Sequence, residues 1–385
     1  MEESGPGGGG VDPRNGKGWT EAGPLEAPPR SVLIVMLSAV GDSVQVLPVL
    51  SALRRTFPGT FIAWVLQPGP ASLVAGHPAV DRIVIFERGP KGRRPGAVAA
   101  GLSELGKTAG LLRRLAREQP GGRFDLILCL QVYLKAGLLT ALTPGEVKLG
   151  FDMKRSRDLN WLFTTHRIPP HPRGAGHIQD QYFEFLHYLG VDPEPVEYGL
   201  AIFPVERADQ RAFFSSLDRP VCAVVTGTSN PRKDWDPDRY VQVISALDRD
   251  LGLQPVLVGG RSPGEQAAAR HILSHKGGIV VDARGGGLRR LAWLLEGSAL
   301  VITPDTGPLH IARALEVPVV GLFGFTNPKR SGPYRRFSDL IVDGYARHPG
   351  EDYPIARKTR AGGMNRITPS MVLEKVEKAL RHYKR

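Results

Sequence analysis

Cysteine is nearly missing from this chain. Its 385 residues include two, Cys129 and Cys222, each inside an apolar run (LILCL and VCAVV). A disulfide framework is thereby excluded, a reducing compartment fits, and both thiols are expected to be buried and inert. Long hydrophobic runs are missing too: nothing approaches the roughly 20 apolar residues of a membrane span, and the N-terminus lacks the apolar core of a signal peptide. A cytoplasmic protein is the expectation. Aromatic residues are sparse, at 7%, and they do not interleave with basic clusters, which argues against nucleic-acid binding. Acidic charge is in deficit, with 38 Asp and Glu against 50 Lys and Arg for a net charge of +12. That balance favours anionic partners such as phosphorylated ligands or an acidic membrane surface. A soluble protein with an arginine-rich composition would show the same surplus.

What is present is a repeated alternation. Residues 1–30 are dominated by Gly and Pro and read as a disordered extension. From Ser31, short apolar runs alternate with amphipathic segments: SVLIVML, TFIAWVL, DRIVIF and FDLILCL as strands, SVQVLPVLSALRR as a helix between the first two, and a long helix running through LRRLAREQ. A second series begins near Val221, with VCAVVTG, QPVLVGG, GIVVDA, ALVITPD and VPVVGLFG as strands and DPDRYVQVISALDRD, LRRLAWLLEG and GPLHIARALE as helices. The pattern predicts an α/β protein of two Rossmann-like domains with parallel sheets facing across a cleft. The expected divisions are 31–195, 196–350 and a C-terminal segment over 351–385 that ends in an amphipathic helix and packs back on the first domain.

Four stretches carry chemistry. GLSELGKT, residues 101–108, fits the phosphate-binding loop G-x-x-x-x-G-K-[ST], but GPKGRRPGAVAA before it is no strand. Leu102, Leu105, Leu111 and Leu112 instead follow one face of a continuous helix, so the match reads as coincidence. VITPDTGPLHIARALE ends a strand at Asp305 and opens a helix at Thr306, Gly307 and Pro308, where free N–H groups and the Thr306 hydroxyl suit phosphate oxygens, with His310 in the first turn. VVTGTSNPRKDW offers Thr228, Ser229 and Lys233 at another strand end. SAVGD puts Asp42 just after a first strand, as a helix cap or as a base. Each residue has a bland reading alone, a cap or a solvated loop group. Together they point to a nucleotide diphosphate held by the second half and a base offered by the first.

These residues resemble glycosyltransferase family 9, the ADP-heptose:lipopolysaccharide heptosyltransferases, over roughly 31–380. Gly41-Asp42 with Pro48 and Leu50 is similar to the first motif of the family, and K-D-W (Lys233 to Trp235) and PDTGPLHIARALEVPVVGLFG are the most specific matches. The resemblance implies a GT-B fold and inverting sugar transfer from a nucleotide sugar, ADP-heptose first, to a lipopolysaccharide core acceptor. Asp42 is then the expected general base. Lys233, with Thr228 and Ser229, is expected on the donor diphosphate, Thr306 and Gly307 on phosphate, Asp305 and His310 beside the donor sugar, and Glu265 on the ribose. No acidic cluster resembling a metal-binding D-x-D dominates, so lysine and helix dipoles are expected to supply the positive field without a required cofactor. Arg88, Lys91, Arg93 and Arg94 are expected to meet an acidic lipid-linked acceptor and the anionic inner face of the inner membrane. The sequence departs from the family pattern at Met36, Cys129 and Gly286. Two competing readings stay open: a transferase using another nucleotide sugar for a different surface glycan, and a GT-B-shaped binding protein without turnover.

Overall fold

The structure, a computed structural model, describes residues 25–87, 97–169 and 176–383. The first half places β1 (Ser31–Val35), α1 (Val40–Thr56), β2 (Phe61–Leu66), α2 (Pro68–Val74), β3 (Arg82–Ile85), α3 (Ala97–Arg117), β4 (Phe124–Cys129), α4 (Leu134–Leu142), β5 (Gly145–Phe151), β6 (His166–Ile168) and α5 (Ile178–Tyr188). The second places α6 (Pro204–Ser215), β7 (Val221–Val225), α7 (Pro237–Arg249), β8 (Gln254–Val258), α8 (Pro263–Lys276), β9 (Val281–Asp282), α9 (Gly287–Glu296), β10 (Leu300–Pro304), α10 (Gly307–Ala314), β11 (Val319–Phe323), α11 (Pro328–Ser331), β12 (Ile341–Asp343) and α12 (Pro369–His382).

Each half builds one six-stranded sheet, in the orders β3-β2-β1-β4-β5-β6 and β12-β11-β10-β7-β8-β9. All the pairings are parallel. Counted within its own half, each sheet is the doubly wound order 3-2-1-4-5-6, and its crevice opens where the order reverses, between β1 and β4 or between β7 and β10. Helices cover both faces, so the central strands are buried throughout and read as unbroken Val/Ile/Leu runs (SVLIV, VCAVV, VVGLF) rather than alternating ones.

The link between the halves, 191–203, has no regular structure but is well anchored. Arg55 at the end of α1 donates to the carbonyls of Asp192 at 3.0 Å and Glu194 at 2.6 Å, and the buried His77 ring bonds to Tyr198 O at 2.9 Å. At its far end Arg289 of α9 pairs with Glu206 and donates to Leu73 O of α2 at 3.1 Å, so one guanidinium grips both halves.

Three sequence expectations are revised. The helix α1 starts at Val40 and takes Asp42 into its first turn, because the capping bonds there form earlier than the apolar periodicity. GIVVDA shrinks to the two-residue strand β9, at the sheet edge. The C-terminal helix α12 packs on α7, β10, β11 and β12 of the second half, while Arg357 in the segment before it donates to Arg155 O of the first half at 3.4 Å. The apolar stripe of α12, with Val372, Val376 and Ala379 fully buried, is used up there. Close backbone contact holds the segment before it: a Cβ on Gly324 would lie 2.2 Å from Met364 N. Among the described residues no helix is long and apolar enough to cross a membrane.

GLSELGKT lies wholly within α3, where Lys107 pairs with Glu104 at 2.7 Å. The buried face of that helix runs through Thr108, Ala109, Leu112, Leu115 and Ala116; Leu102 and Leu111 are exposed, so the expected leucine stripe is only half right. Nothing stands within 4 Å of a Cβ added at Gly106. Gly106→Ala is therefore expected to stabilise the protein by about 0.5–1 kcal/mol by helix propensity. Gly324→Ala, forced into backbone, is expected to cost about 3 kcal/mol. Urea midpoints read both; a destabilised Gly106→Ala would overturn the helical account of this motif.

Candidate active site

Four strand-end loops meet where the two crevices face each other. After β1, the turn is clamped from the neighbouring strand: Leu37 N donates to Gln131 Oε1 at 2.9 Å, and Gln131 Nε2 donates to Ser38 O at 2.8 Å. Gln131 stands two residues past the end of β4, so the clamp sits at the switch point of the first sheet. The residue preceding α1 is Ala39, which has no side chain to cap with. Asp42, at the third helical position, reaches back and accepts from Ala39 N at 3.2 Å. The two readings of Asp42 are thus not exclusive, since one oxygen caps the helix while the group stands at the cleft. Burial pushes its carboxyl above the usual carboxylate range. The Ala39 bond and the Arg330 and Lys233 charges pull the other way, and Asp305 adds to the rise.

After β7, the three residues of K-D-W have three separate tasks. Lys233 Nζ donates to Asp305 Oδ2 at 2.7 Å and to Asp305 O at 3.1 Å. Asp234 Oδ1 accepts from the Thr228 amide at 2.8 Å and from its hydroxyl at 2.9 Å, folding the loop back on itself. Trp235 is buried, stacks edge-on against Tyr240 and donates to Ile367 O at 3.1 Å, tying the loop to the C-terminal segment. The Thr228 hydroxyl, expected on phosphate, is spent inside the loop; Ser229 is the exposed hydroxyl of the turn.

After β10, Asp305 is buried and held from two sides, by Lys233 and by Thr326 Oγ1 at 2.5 Å. Thr306 stands at the N-cap of α10 with no side-chain capping bond, at a helix N-terminus that suits an anion. Gly307 has a different neighbour from the one expected. A Cβ there would meet Val40 Cγ1 at 3.1 Å, so the glycine admits α1 and not only a ligand. The reciprocal contact is tighter: a Cβ on Gly41 would lie 2.7 Å from His310 Cδ2. The two helix N-termini therefore meet head to head.

His310 is buried in that contact and hydrogen-bonds through Nδ1 to Gln45 Nε2 at 3.1 Å. With the amide donating, the imidazole proton sits on Nε2 and the ring is neutral. Burial pushes its pKa down to about 4; Asp305 opposes the shift, while His177 and Lys233 add to it. Gln45 O in turn accepts from Gln179 Nε2 of α5 at 2.8 Å. Glu265 is also drawn in, but as a clamp: its two oxygens accept from Gly260 N at 2.8 Å and Ser262 N at 2.9 Å, the second completing a capping box on α8.

The structure thus brings Asp42, Lys233, Asp305, Thr306, Gly307 and His310 together and places Thr228 and Ser229 in the loop after β7 and Glu265 in the first turn of α8. Arg88, Lys91, Arg93 and Arg94 lie outside the described residues. Gln45, Gln131 and Thr326 were not anticipated. Gln131 and Thr326 each follow a strand that had been recognised, and that position was the available signal. Among the described residues no group of three or more His, Cys, Asp or Glu side chains is arranged to hold a metal ion.

Two doubly wound halves, with an aspartate at one switch point and a lysine beside a helix N-terminus at the other, define a two-domain GT-B glycosyltransferase. The chain belongs to glycosyltransferase family 9 (heptosyltransferase), whose family model matches residues 112–350. It is 28% identical over 358 residues to the lipopolysaccharide core heptosyltransferase OpsX of Haemophilus influenzae, covering 89% of this chain and 94% of that protein. It is 29% identical over 329 residues to lipopolysaccharide heptosyltransferase 1 of Pseudomonas aeruginosa, covering 84% and 85%. Among solved structures, it resembles a family 9 glycosyltransferase from Veillonella parvula (TM-score 0.74, 23% identity, 91% and 97% of the chains). It also resembles the E. coli heptosyltransferase WaaC with ADP (TM-score 0.67, 23% identity, 91% and 99%).

The depressed His310 pKa has a sign that can be tested. Between pH 6.5 and about 4 the unfolded chain binds a proton that the folded protein refuses, so stability present above pH 6.5 is lost as pH falls toward 4. The full difference is on the order of 3 kcal/mol. His310→Gln should be less stable than wild type at pH 7 yet lose less between pH 6.5 and 4, read as urea midpoints. Parallel losses in both proteins would refute the assignment.

Proposed function

We propose that this glycosyltransferase is an inverting heptosyltransferase that moves heptose from ADP-heptose onto a lipopolysaccharide core acceptor, with Asp42 as general base. The observation that carries it is the buried Asp42 carboxyl of α1 at the seam where α1 meets the N-terminus of α10, beside the Lys233–Asp305 pair. Heptosyltransferases named for lipopolysaccharide among the relatives, and the ADP-bound WaaC fold, support the choice of donor and acceptor. The work is assigned to the cytoplasmic face of the inner membrane, where such an acceptor is presented.

In the reaction, an acceptor hydroxyl gives its proton to Asp42 as its oxygen attacks the anomeric carbon. The bond from that carbon to the diphosphate breaks on the opposite face, and ADP leaves with the electron pair. A carboxylate with a raised pKa is a stronger base than a free one, which suits this task. The charge developing on the leaving group falls toward Lys233, the Thr306 hydroxyl and the α10 amides, fixed in place before the reaction. Asp305 keeps Lys233 aimed there, and neutral His310 adds no competing charge.

Asp42→Asn retains the bond to Ala39 N but accepts no proton. It should abolish transfer from ADP-heptose while leaving ADP affinity, measured by calorimetry, within about twofold. Lys233→Ala should weaken both. For the wild type, kcat/KM should fall on the acid side with a midpoint above the ordinary carboxylate value near ~4. Near-normal turnover by Asp42→Asn removes the base; preference for UDP, GDP or dTDP over ADP in the same titrations removes the donor.

A further inference from the structure

Ten large apolar side chains are exposed among the described residues, and five of them crowd onto one surface of the first half: Tyr133, Leu134, Met153, Leu159 and Leu162. Exposed apolar residues scattered singly need no explanation, but a contiguous group marks a surface that meets something. All five follow the carboxyl ends of β4 and β5, so they sit on the rim of the first sheet that also carries Asp42 after β1. Val98 and Leu102 extend the rim. The helix α3 packs beside α4 and ends just before β4, so it runs back along the sheet toward the amino ends of the strands. It is roughly 30 Å long against roughly 20 Å for β4, and its start therefore overhangs the carboxyl edge.

The segment 152–163 is fixed in this outward position. Arg157 N donates to Val132 O at 2.8 Å, and the buried Asn160 donates through Nδ2 to Tyr133 O at 2.9 Å. The short 3₁₀ turn Asn160–Phe163 presses so closely on α4 that a Cβ on Gly137 would lie 2.5 Å from the Phe163 ring. Phe163 thus faces α4, while Leu159 and Leu162 stay outside, 61% and 52% exposed. Leu159 also has a φ of +62°, in the left-handed region that glycine or asparagine occupies at less cost. An exposed leucine in a disfavoured backbone state gives the free chain neither packing nor backbone energy, so its gain lies in a contact outside the chain.

The charges around the patch select the partner. Lys135, Lys154 and Arg157 are exposed and make no ion pair among the described residues, and Arg167 lies over the Trp161 ring at 5.0 Å. Of the two carboxylates in 152–163, Asp152 is taken by Arg155, which leaves Asp158 alone in the open. Apolar tips, with a tyrosine and a tryptophan at their margin and cations around them, suit the interface of an anionic bilayer. A second copy of this chain would instead bring the same cations against these.

We propose that this rim docks on an anionic lipid surface, with Met153, Leu159 and Leu162 entering the headgroup boundary and Lys135, Lys154 and Arg157 lying against lipid phosphates. The helices α1 and α5 cover one face of the first sheet and α3 and α4 the other, so the docked rim lies beside the α1–α10 seam rather than over it. A lipid-borne acceptor then reaches Asp42 from the surface that carries it. That last step rests on the transferase reading; the docking itself does not.

The test is sedimentation of the full chain with acceptor-free vesicles of phosphatidylcholine, with and without phosphatidylglycerol. Binding should require the anionic lipid and weaken as salt is raised. Leu159→Asn and Met153→Gln should each weaken it by about tenfold, and Lys154→Glu by about fivefold or more, with ADP affinity within about twofold. Because asparagine tolerates the backbone at 159, the urea midpoint of Leu159→Asn should be no lower than that of wild type, which separates lost docking from lost folding. Val205→Asn, at an exposed valine of α6 in the second half, should leave vesicle binding unchanged. Wild type that ignores anionic vesicles overturns the proposal, and a dimer in sedimentation velocity that Leu159→Asn abolishes would then give the patch to a second copy. Binding that survives all three rim variants also overturns it, as does binding seen only with heptose-free lipopolysaccharide in the vesicles. A chain that docks but transfers nothing keeps this surface and loses the transferase reading.

Discussion

The contact on which the site depends is the head-on approach of α1 and α10. It requires two glycines, one on each side: Gly41 yields to the His310 ring and Gly307 to Val40. Gln45 then bonds across the seam to His310, and Gln179 of α5 bonds to Gln45. Two helix N-termini facing each other put two partial positive charges at close range, an arrangement that is unfavourable alone. Each brings a carboxylate to relieve it, Asp42 in the first turn of α1 and Asp305 just before α10. The same geometry that stabilises the seam therefore assembles a base and a phosphate-binding edge.

Charge at the seam is nearly matched, and the mismatches are informative. Lys233 cancels Asp305, while burial keeps His310 neutral. Asp42 has no ion-pair partner among the described residues and is raised by burial despite two nearby cations. Arg330 Nε is buried with no hydrogen-bond partner among the described residues. A site poised to deprotonate one group has this distribution: an acid raised by burial beside charges that are already compensated.

Much of this was legible along the chain because strands and helices of a doubly wound fold announce themselves locally. Buried parallel strands are apolar on both faces, and DTGP carries its own helix start in Pro308. Local pattern has to be weighed against its surroundings. GLSELGKT satisfies a phosphate-loop formula but lacks the preceding strand, and α3 absorbs it. Gly307 looked like a ligand approach, whereas the neighbour that needs the space is Val40, 267 positions earlier in the sequence. The hydroxyl of Thr228 is bonded within its own loop and the carboxylate of Glu265 to the turn before α8, which residue type alone does not disclose.

The sequence by itself determined the two α/β halves, the strand ends that bear Asp42, Lys233 and Asp305, and the family, because these follow from periodicity and short motifs. Only the tertiary structure decided which side chains share a space. The pairing of Lys233 with Asp305 depends on β7 and β10 lying side by side, and the burial that raises Asp42 and lowers His310 depends on how the halves face each other. Desolvation and Coulomb interaction depend on distances through space, and those distances exist only once the chain has folded.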